Sequence, residues 1–359
     1  MSDALAVVIV THNAAAELVG LAGALLGELE PDDEVVIVYN ASSDATVTLA
    51  RELDPRIALR ETGANVGFAA GCRVGVNATA APLLLFLNPD VRPQRGSLAR
   101  LRAVAGERPG WAAWQPAVML EDGRINTSGG VAHYLGLSWA GQCEQPESEL
   151  ADAPHEIAFA SGAACVIRRE VWLALGGFED SYFLYGEDLD LGLRLRLSGY
   201  GVGVEPRARV THNYEFEKGP RKWFLLERNR WRTVLGVYPA ALLALIAPAL
   251  LLGELGLLAI AARDGWLTVK LRAQFATIGG LPQTLRRRRS IQAGRAVSAA
   301  AFAAALSASL ENPNLARLPR PLALAQAAYW RLVRLLLRSA EPSPVSIARA
   351  AGQHRPEDR

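Results

Sequence analysis

Three carboxylates fall within four positions in Gly186-Glu187-Asp188-Leu189-Asp190, directly ahead of a helical pattern. Leu189, Leu193 and Leu197 recur at i, i+4 and i+8, which turns one apolar face inward and leaves Arg194 and Arg196 off it. The acids therefore stand in a first helical turn, where backbone N–H groups and the helix dipole favour negative charge. Such a cluster can be a favourable helix start or can supply a general base, and on these residues alone both readings stay open. Gly176-Gly177 and Gly186 bracket a loop with Phe178, Tyr182, Phe183 and Tyr185, whose rings could press against a ligand. Further polar residues collect after apolar runs: Thr11 and Asn13, Asn40 and Asp44, Asn65, Asn88 with Asp90, and His212.

The elements that position these residues are legible from apolar patterning. Residues 5–10 form a continuous apolar run rich in β-branched residues, as expected of a parallel strand covered on both faces. Leu18, Leu21, Leu25 and Leu29 then repeat at helical spacing up to Pro31. A second strand at 35–38 leads to a helix over about 44–53, for which Ser42 or Ser43 is the expected cap. A third short strand near 57–60 and a helix running to about 79 follow, then a fourth strand at 83–87. This β-α alternation predicts a doubly wound, mainly parallel sheet with ligand sites at the strand carboxyl ends. Asn, Ser and Asp also favour turns for their own sake. Their presence at four successive strand ends points to a shared crevice. The glycines at 63, 67 and 71 lack G-x-G-x-x-G spacing and follow the third strand, not the first. Residues 111–156 read as an irregular lid or acceptor-facing insert containing Trp139. Strand character resumes at 158–167, 200–204 and 210–212.

The whole chain has 359 residues, half of them apolar and 21% charged, which suits a globular chain of two domains or of one with an extension. A net charge of +2 gives no footing for nucleic-acid binding. Cys72, Cys143 and Cys165 form no CxxC pair and fit a reducing compartment. The N-terminus runs into the first strand without a basic n-region, so no secretory signal is expected. Residues 238–262 carry Glu254 as their only charge and are long enough to span a bilayer. Pro239, Pro248, the glycines and Glu254 weigh against a plain span, leaving insertion, an interfacial helix and a buried helix open. Arg286-Arg287-Arg288-Arg289 beyond it is a cluster that an anionic leaflet would attract, or a solvated charge run. Two further helices are expected at 296–310 and 322–337, with a disordered tail from about 341.

In order along the chain, VVIVTHN (7–13), VIVYNASSDAT (36–46), GANVGFAAGCRVGVN (63–77), LLLFLNPDV (83–91), the stretch 161–200 around FLYGEDLDL, VTHNYEF (210–216) and FLLERNRWRTV (224–234) resemble glycosyltransferase family 2, in its bacterial rhamnosyltransferase-like branch. The resemblance implies an α/β GT-A fold over residues 1–225, with a nucleotide-sugar half at about 1–110 and an acceptor half at about 111–225. Residues 226–359 would be a helical, membrane-associating extension. It further implies an inverting, metal-dependent enzyme at the cytoplasmic face of a bacterial plasma membrane. Such an enzyme would move a sugar, expected to be rhamnose from dTDP-rhamnose, to a lipid-linked saccharide of cell wall, O-antigen or capsule. A UDP-linked galactofuranose, glucose or N-acetylhexosamine donor is the alternative within the class. A non-catalytic nucleotide-binding scaffold is the alternative outside it, and a homo-oligomer stays open.

Carried over by motif, Thr11 and Asn13 line the nucleotide pocket, Asn40 and Asp44 lie near base and ribose, and Asn65 and Gly67 hold the nucleotide. Asp90 takes the place of the family's metal aspartate, with Asn88 where the first acid of that motif would stand and His212 completing a Mg²⁺ or Mn²⁺ site. Asp188 matches the catalytic base, with Glu187 beside it. Phe183, Tyr185 and Trp139 are the expected acceptor wall. Arg228 and Asn229 match an ERN element of unassigned role. Tyr39 replaces an aspartate common in relatives and could stack on the base. Arg73 replaces an asparagine and could reach a diphosphate.

Overall fold

The computed structural model describes residues 3–54, 57–212, 219–310 and 318–339. The tail from 341, and Asn213 to Phe216 of the VTHNYEF motif, lie outside the described residues.

β1 (Leu5–Thr11) is buried along its whole length, as its unbroken apolar run requires. α1 (Ala15–Leu25) buries Leu18, Leu21 and Leu25. β2 (Glu34–Tyr39), α2 (Thr46–Leu53), β3 (Ile57–Glu61), α3 (Gly67–Val76) and β4 (Leu83–Leu87) then follow as the alternation predicts. β1 lies between β2 and β4, and all three run parallel. β3 extends the sheet parallel to β2. Every side chain of β4 is buried, and full burial of a Leu or Phe contributes about 1.5–3 kcal/mol.

The helix after β2 starts differently from expectation. Asp44 Oδ1, not a serine, accepts the Thr46 N–H at 3.1 Å. Ser42 Oγ is engaged by the Asn13 N–H at 2.9 Å.

After β5 (Val91–Pro93) and α4 (Ser97–Glu107), the structure corrects the irregular reading of residues 111–156. β6 (Trp111–Met119) is a nine-residue strand buried at every position. Short pieces follow: β7 (Ile125–Thr127), the hairpin of β8 (Gly130–Ala132) and β9 (Ser138–Ala140), and β10 (His155–Glu156). The next strand is shorter than expected, β11 (Ala164–Arg168). It leads to α5 (Arg169–Leu175), α6 (Glu187–Leu197) and one long strand, β12 (Gly201–His212), where two were expected. The bulge that misled the reading falls between Glu205 and Arg209.

Among the described residues the main sheet has ten strands, in the order β10-β12-β6-β11-β4-β1-β2-β3 with β5 on β12 and β7 on β6. β11 runs antiparallel to both of its neighbours, so the sheet is mixed. This reversal organises the site. Because β11 opposes β4, residues 161–163 just before it stand at the carboxyl end of β4. β6 and β12 run with β4, so β12 delivers His212 to the same edge.

α7 (Pro220–Val237), α8 (Ala240–Arg263), α9 (Leu267–Gly279), α10 (Leu281–Ala293), α11 (Ala299–Ala303) and α12 (Arg320–Ser339) form the C-terminal helices. The helix expected over 296–310 shrinks to the five residues of α11. Glu254 of α8 is not a charge stranded in an apolar helix. It pairs with Arg230 of α7 and Lys270 of α9 at 2.5 and 2.6 Å, and Glu227 completes this buried group at 2.8 Å from Lys270. Desolvated ion pairs survive only when partnered in this way. The arginine run is corrected too. Arg286 and Arg289 are exposed, but Arg288 donates to the Leu235 and Tyr238 carbonyls at 2.9 and 2.7 Å, and Arg287 points at α6.

Candidate active site

The carboxyl edge of the sheet gathers the acids through the backbone groups of two adjacent residues, Gly162 and Ala163. The Asn88 N–H donates to the Ala163 carbonyl at 2.9 Å. The N–H of Gly162, the preceding residue, donates to Asp188 Oδ2 at 3.1 Å. Asp188 is therefore joined through residues 162–163 to the strand end that carries Asn88 and Asp90.

Asp90 meets His212 because β5 and β12 pair antiparallel, which sets His212 opposite Val91. His212 Nε2 lies 3.1 Å from Asp90 Oδ2. Asp90 Oδ1 is buried and has no hydrogen-bond partner among the described residues. Burial works to raise the Asp90 carboxyl, but the hydrogen bond and charge of His212 outweigh it and hold the group below its ordinary value. No group of three or more His, Cys, Asp or Glu placed to hold a metal occurs among the described residues. An unpartnered carboxylate oxygen beside an imidazole fits a divalent cation whose other ligands are waters and phosphate oxygens.

The adjacent acids have unequal surroundings. Asp188 accepts two backbone N–H bonds, from Gly162 and from Leu189 at 2.7 Å. Burial raises its carboxyl, while these bonds favour the ionised form. Glu187 is 5% exposed, and its Oε2 has no partner among the described residues. Burial pushes the nearby thiols of Cys72 and Cys165 up, and Glu187 adds to this once it is ionised. Burial, with the neighbouring Asp188 charge, pushes Glu187 up to about 8. The pair is thus split, with Asp188 the acid that ionises and Glu187 the one that keeps its proton near neutrality.

This split has a measurable sign. A folded value of about 8 against an ordinary 4.5 means that the Glu187 contribution to stability is complete below 4.5 and is lost as pH rises through 8. The melting temperature of the wild type should therefore fall from about pH 5 to about pH 9 by more than that of Glu187→Gln, whose amide stays neutral. Parallel curves for the two proteins would show that Glu187 is ionised in the folded state.

The residues expected to hold the nucleotide line three successive strand ends, where many of them bind one another. The Thr11 hydroxyl donates to the Val38 carbonyl at 3.2 Å. Asn13, at φ 54°, accepts the Ser43 N–H on Oδ1 at 2.7 Å. The Tyr39 hydroxyl donates to the Ser42 carbonyl at 2.5 Å. Asp44 Oδ2 accepts the Ala15 N–H at 3.1 Å, so this acid ties the start of α2 to that of α1. Asn40 accepts the Val66 N–H on Oδ1 at 2.9 Å and donates to Asn65 Oδ1 at 3.1 Å. Asn65 Oδ1 also accepts the Gly67 N–H at 3.0 Å. Asn40 and Asn65 therefore shape the third loop. Arg73 departs from expectation. Its guanidinium is held by Asp180 Oδ1 at 3.0 Å and the Phe178 carbonyl at 2.9 Å, so it braces the aromatic loop and is not turned to a diphosphate.

That loop is tied down on both sides. Phe183 and Tyr185 both sit at φ 67°, a left-handed conformation that costs a non-glycine residue of order 1–3 kcal/mol. Asn229 of α7 compensates by donating its amide to the Tyr182, Leu184 and Tyr185 carbonyls at 3.1, 3.1 and 2.6 Å. Arg228 donates to the Ser181 and Tyr182 carbonyls at 3.1 and 2.8 Å. The ERN element thus acquires a structural task, with Glu227 serving the buried ion group. On the opposite side the Phe183 carbonyl accepts the Phe68 N–H at 2.7 Å. Only glycine fits at position 67, where φ is 83° and a Cβ would lie 2.3 Å from the Phe183 oxygen. The Phe183 ring lies under Arg221 at 5.1 Å and the Tyr185 ring beside Lys222 at 5.2 Å. Trp139 is placed apart from them, on the β8–β9 hairpin, where its ring neighbour is His133 at 6.2 Å.

Comparison with known proteins gives this arrangement its family. The Glycosyl transferase family 2 model matches residues 6–172, and the Glycosyl transferase family group 2 model matches residues 90–282, more than half of the chain. The chain belongs to glycosyltransferase family 2. Among curated members it is 29% identical over 246 residues to the N-acetylglucosaminyl-diphospho-decaprenol L-rhamnosyltransferase of Mycobacterium tuberculosis, covering 61% of this chain and 79% of the relative. It is 27% identical over 191 residues to the O-antigen biosynthesis protein RfbC of Myxococcus xanthus, covering 51% of this chain and 15% of that protein. Two solved structures share the fold. GalNAc-T7 with UDP, GalNAc and Mn²⁺ superposes at a TM-score of 0.55 and 16% identity, over 68% of this chain and 50% of that one. S. aureus TarS superposes at 0.52 and 16%, over 92% of this chain and 55% of that one. The chain thus spans about half the length of these two structural relatives. The expected GT-A fold is correct, and the protein is a glycosyltransferase.

Proposed function

We propose that this family member transfers L-rhamnose from dTDP-rhamnose, with inversion, to a hydroxyl of a polyprenyl-diphosphate-linked saccharide. The observation that carries the reaction type is the Asn88–Ala163 and Gly162–Asp188 pair of backbone bonds, which sets an ionisable carboxylate beside the Asp90 strand end. The rhamnosyltransferase relative supports the sugar and the lipid-linked acceptor. In the proposed reaction Asp188 takes the acceptor hydroxyl proton, the acceptor oxygen bonds to the anomeric carbon, and the bond from that carbon to the diphosphate breaks on the opposite face. Asp90 and His212 would hold a Mg²⁺ or Mn²⁺ ion, which neutralises charge developing on the diphosphate when bound. Thr11, Asn13, Tyr39, Asn40, Asp44, Asn65 and Asn88 would form the nucleotide-sugar crevice, and Phe183 and Tyr185 the acceptor wall. We assign catalysis to residues 1–225 and membrane contact to 226–359, with α7 crossing that boundary.

The membrane contact rests on α8. Among the described residues it is the one helix long and apolar enough to cross a bilayer, and 11% of its most apolar stretch is buried. Leu242, Ile246 and Leu250 pack inward while Leu251, Leu252 and Leu255 are exposed, as are Phe275 and Ile278 of α9. One face on protein and one face bare suits a helix lying in the interface of the cytoplasmic leaflet. The deciding experiment incubates the full chain, in vesicles containing anionic lipid, with a polyprenyl-diphosphate-N-acetylglucosamine acceptor and a panel of dTDP- and UDP-sugars. Rhamnosylated lipid is the expected product. Transfer from a UDP-sugar only would replace the donor, and no transfer from any donor would favour a nucleotide-binding scaffold.

A further inference from the structure

α10 reaches the helix that carries Asp188. Arg287 Nη1 and Nη2 meet Asp190 Oδ1 and Oδ2 at 2.8 and 2.5 Å, and its Nε meets Glu179 Oε2 at 2.9 Å. Asp190 is fully buried and also accepts from Arg194 Nε at 2.7 Å and the Tyr182 hydroxyl at 3.0 Å. One guanidinium therefore grips Glu179, at the start of the aromatic loop, and Asp190, in the first turn of α6. Asp188 lies on the chain between these two attachment points. The arginine fork suits this task because its donors are fixed in one plane and bind two carboxylates at once. Two acids face two arginines here, so the grip is charge-balanced, and loss of either arginine leaves a buried carboxylate short of a partner. Arg287 is also the member of the arginine run that has left the surface most decisively, its side chain 18% exposed. Its neighbours Arg286 and Arg289 remain exposed.

We infer that Arg287 is a positioning residue for the transfer step, holding the first turn of α6 so that Asp188 faces the acceptor. The C-terminal helices then help to hold the geometry of a catalytic site whose reacting groups all lie within residues 1–225. This rests on the reading of Asp188 as the base. A group positioned through its helix acts on the chemical step more than on donor binding, because the nucleotide crevice is built from the first three strand ends. A misplacement of about 1 Å can cost on the order of 10²-fold in rate.

The test uses the full chain in vesicles, with kcat and the donor KM measured by sugar transfer to the lipid acceptor, and with melting temperature and nucleotide-binding stoichiometry measured alongside. Arg287→Lys keeps the charge and loses the fork, so kcat should fall roughly 10–100-fold with donor KM within about twofold and full nucleotide-binding stoichiometry. Asp190→Asn, which also weakens the Arg194 and Tyr182 contacts, should lose at least as much, and the double variant should lose less than the product of the two single losses, because both singles break the shared Arg287–Asp190 contact. Unchanged kcat in Arg287→Lys, a loss carried by donor KM, or a loss matched by a fall in nucleotide-binding stoichiometry would each overturn the positioning role. Should Arg287→Lys prove insoluble, Asp190→Asn is read by the same criteria. A wild type that transfers no sugar overturns the proposed function, and this inference with it. A wild type that transfers beside an unaffected variant overturns the inference alone.

Discussion

Asp188→Asn should lower turnover by about 10²–10⁴-fold while nucleotide binding survives, the range over which a positioned general base acts. The substitution is close to isosteric, and it replaces a carboxylate that accepts two backbone N–H groups with an amide that can accept on one oxygen only. The amide nitrogen must therefore face an N–H, a local cost of about 1–3 kcal/mol for the unsatisfied group. Melting temperature has to be measured with rate for that reason. The nucleotide crevice is anchored on β1, β2 and the 65–67 loop and should be untouched, so nucleoside diphosphates should still stabilise the variant. Steady-state transfer and thermal shift on the same preparation decide the matter. Near-full turnover in Asp188→Asn would remove it as the base and leave Glu187 as the acid of the turn that is not bound by arginines, with its proton held to about pH 8.

The second large effect is expected at Asp90. Replacement by alanine removes the buried oxygen that has no partner and the contact with His212. If that oxygen serves a divalent cation, the metal-dependent part of nucleotide stabilisation should vanish in the variant. Turnover should fall by roughly 10²-fold or more, since metal stabilisation of transition-state charge is worth several kcal/mol and each 1.36 kcal/mol is tenfold. Chelation of the wild type should produce a comparable loss, reversed by Mn²⁺ or Mg²⁺. The measurement is a thermal-shift series with nucleoside diphosphates and nucleotide-sugars, with and without Mn²⁺, on both proteins. If the wild type shows only metal-independent shifts, the Asp90 and His212 site does not hold a metal.

Much of this site was visible in the order of residues, and the reason differs from place to place. β1 and β4 were legible because a strand buried on both faces must be continuously apolar, and 5–10 and 83–87 are. The strand-end polar residues were legible because each interrupts such a run. β6 was not legible. Its sequence WAAWQPAVM mixes alanine, glutamine and proline, and it is a core strand only because its neighbours make room. Gly201 and Gly203 of β12 lack the side chains that would strike Trp111. Pro116 pairs with Glu205 at the edge of the bulge, where a missing N–H is tolerated. The Arg287–Asp190 contact was out of reach for another reason. Its partners are 97 positions apart, and a run of four arginines looks the same in sequence whether its members face water or a buried acid. Arg73 illustrates the same limit, since a guanidinium near a phosphate crevice and one bound to Asp180 share their spacing.

The reversed strand β11 also sets an order of assembly. Residues 83–87, an all-apolar strand, gain their second neighbour only when residues 164–168 dock on them. Until that part of the chain has been synthesised, β4 is an unpaired hydrophobic edge of the kind that invites pairing with another chain. The same docking step brings Gly162 and Ala163 to the end of β4. The step that covers the nascent sheet edge is therefore also the step that brings the backbone anchor of Asp188 to the Asp90 strand end, and it waits for residues 164–168, near the middle of the chain. Slow emergence of residues 88–163 from the ribosome would prolong the interval in which that edge needs a chaperone.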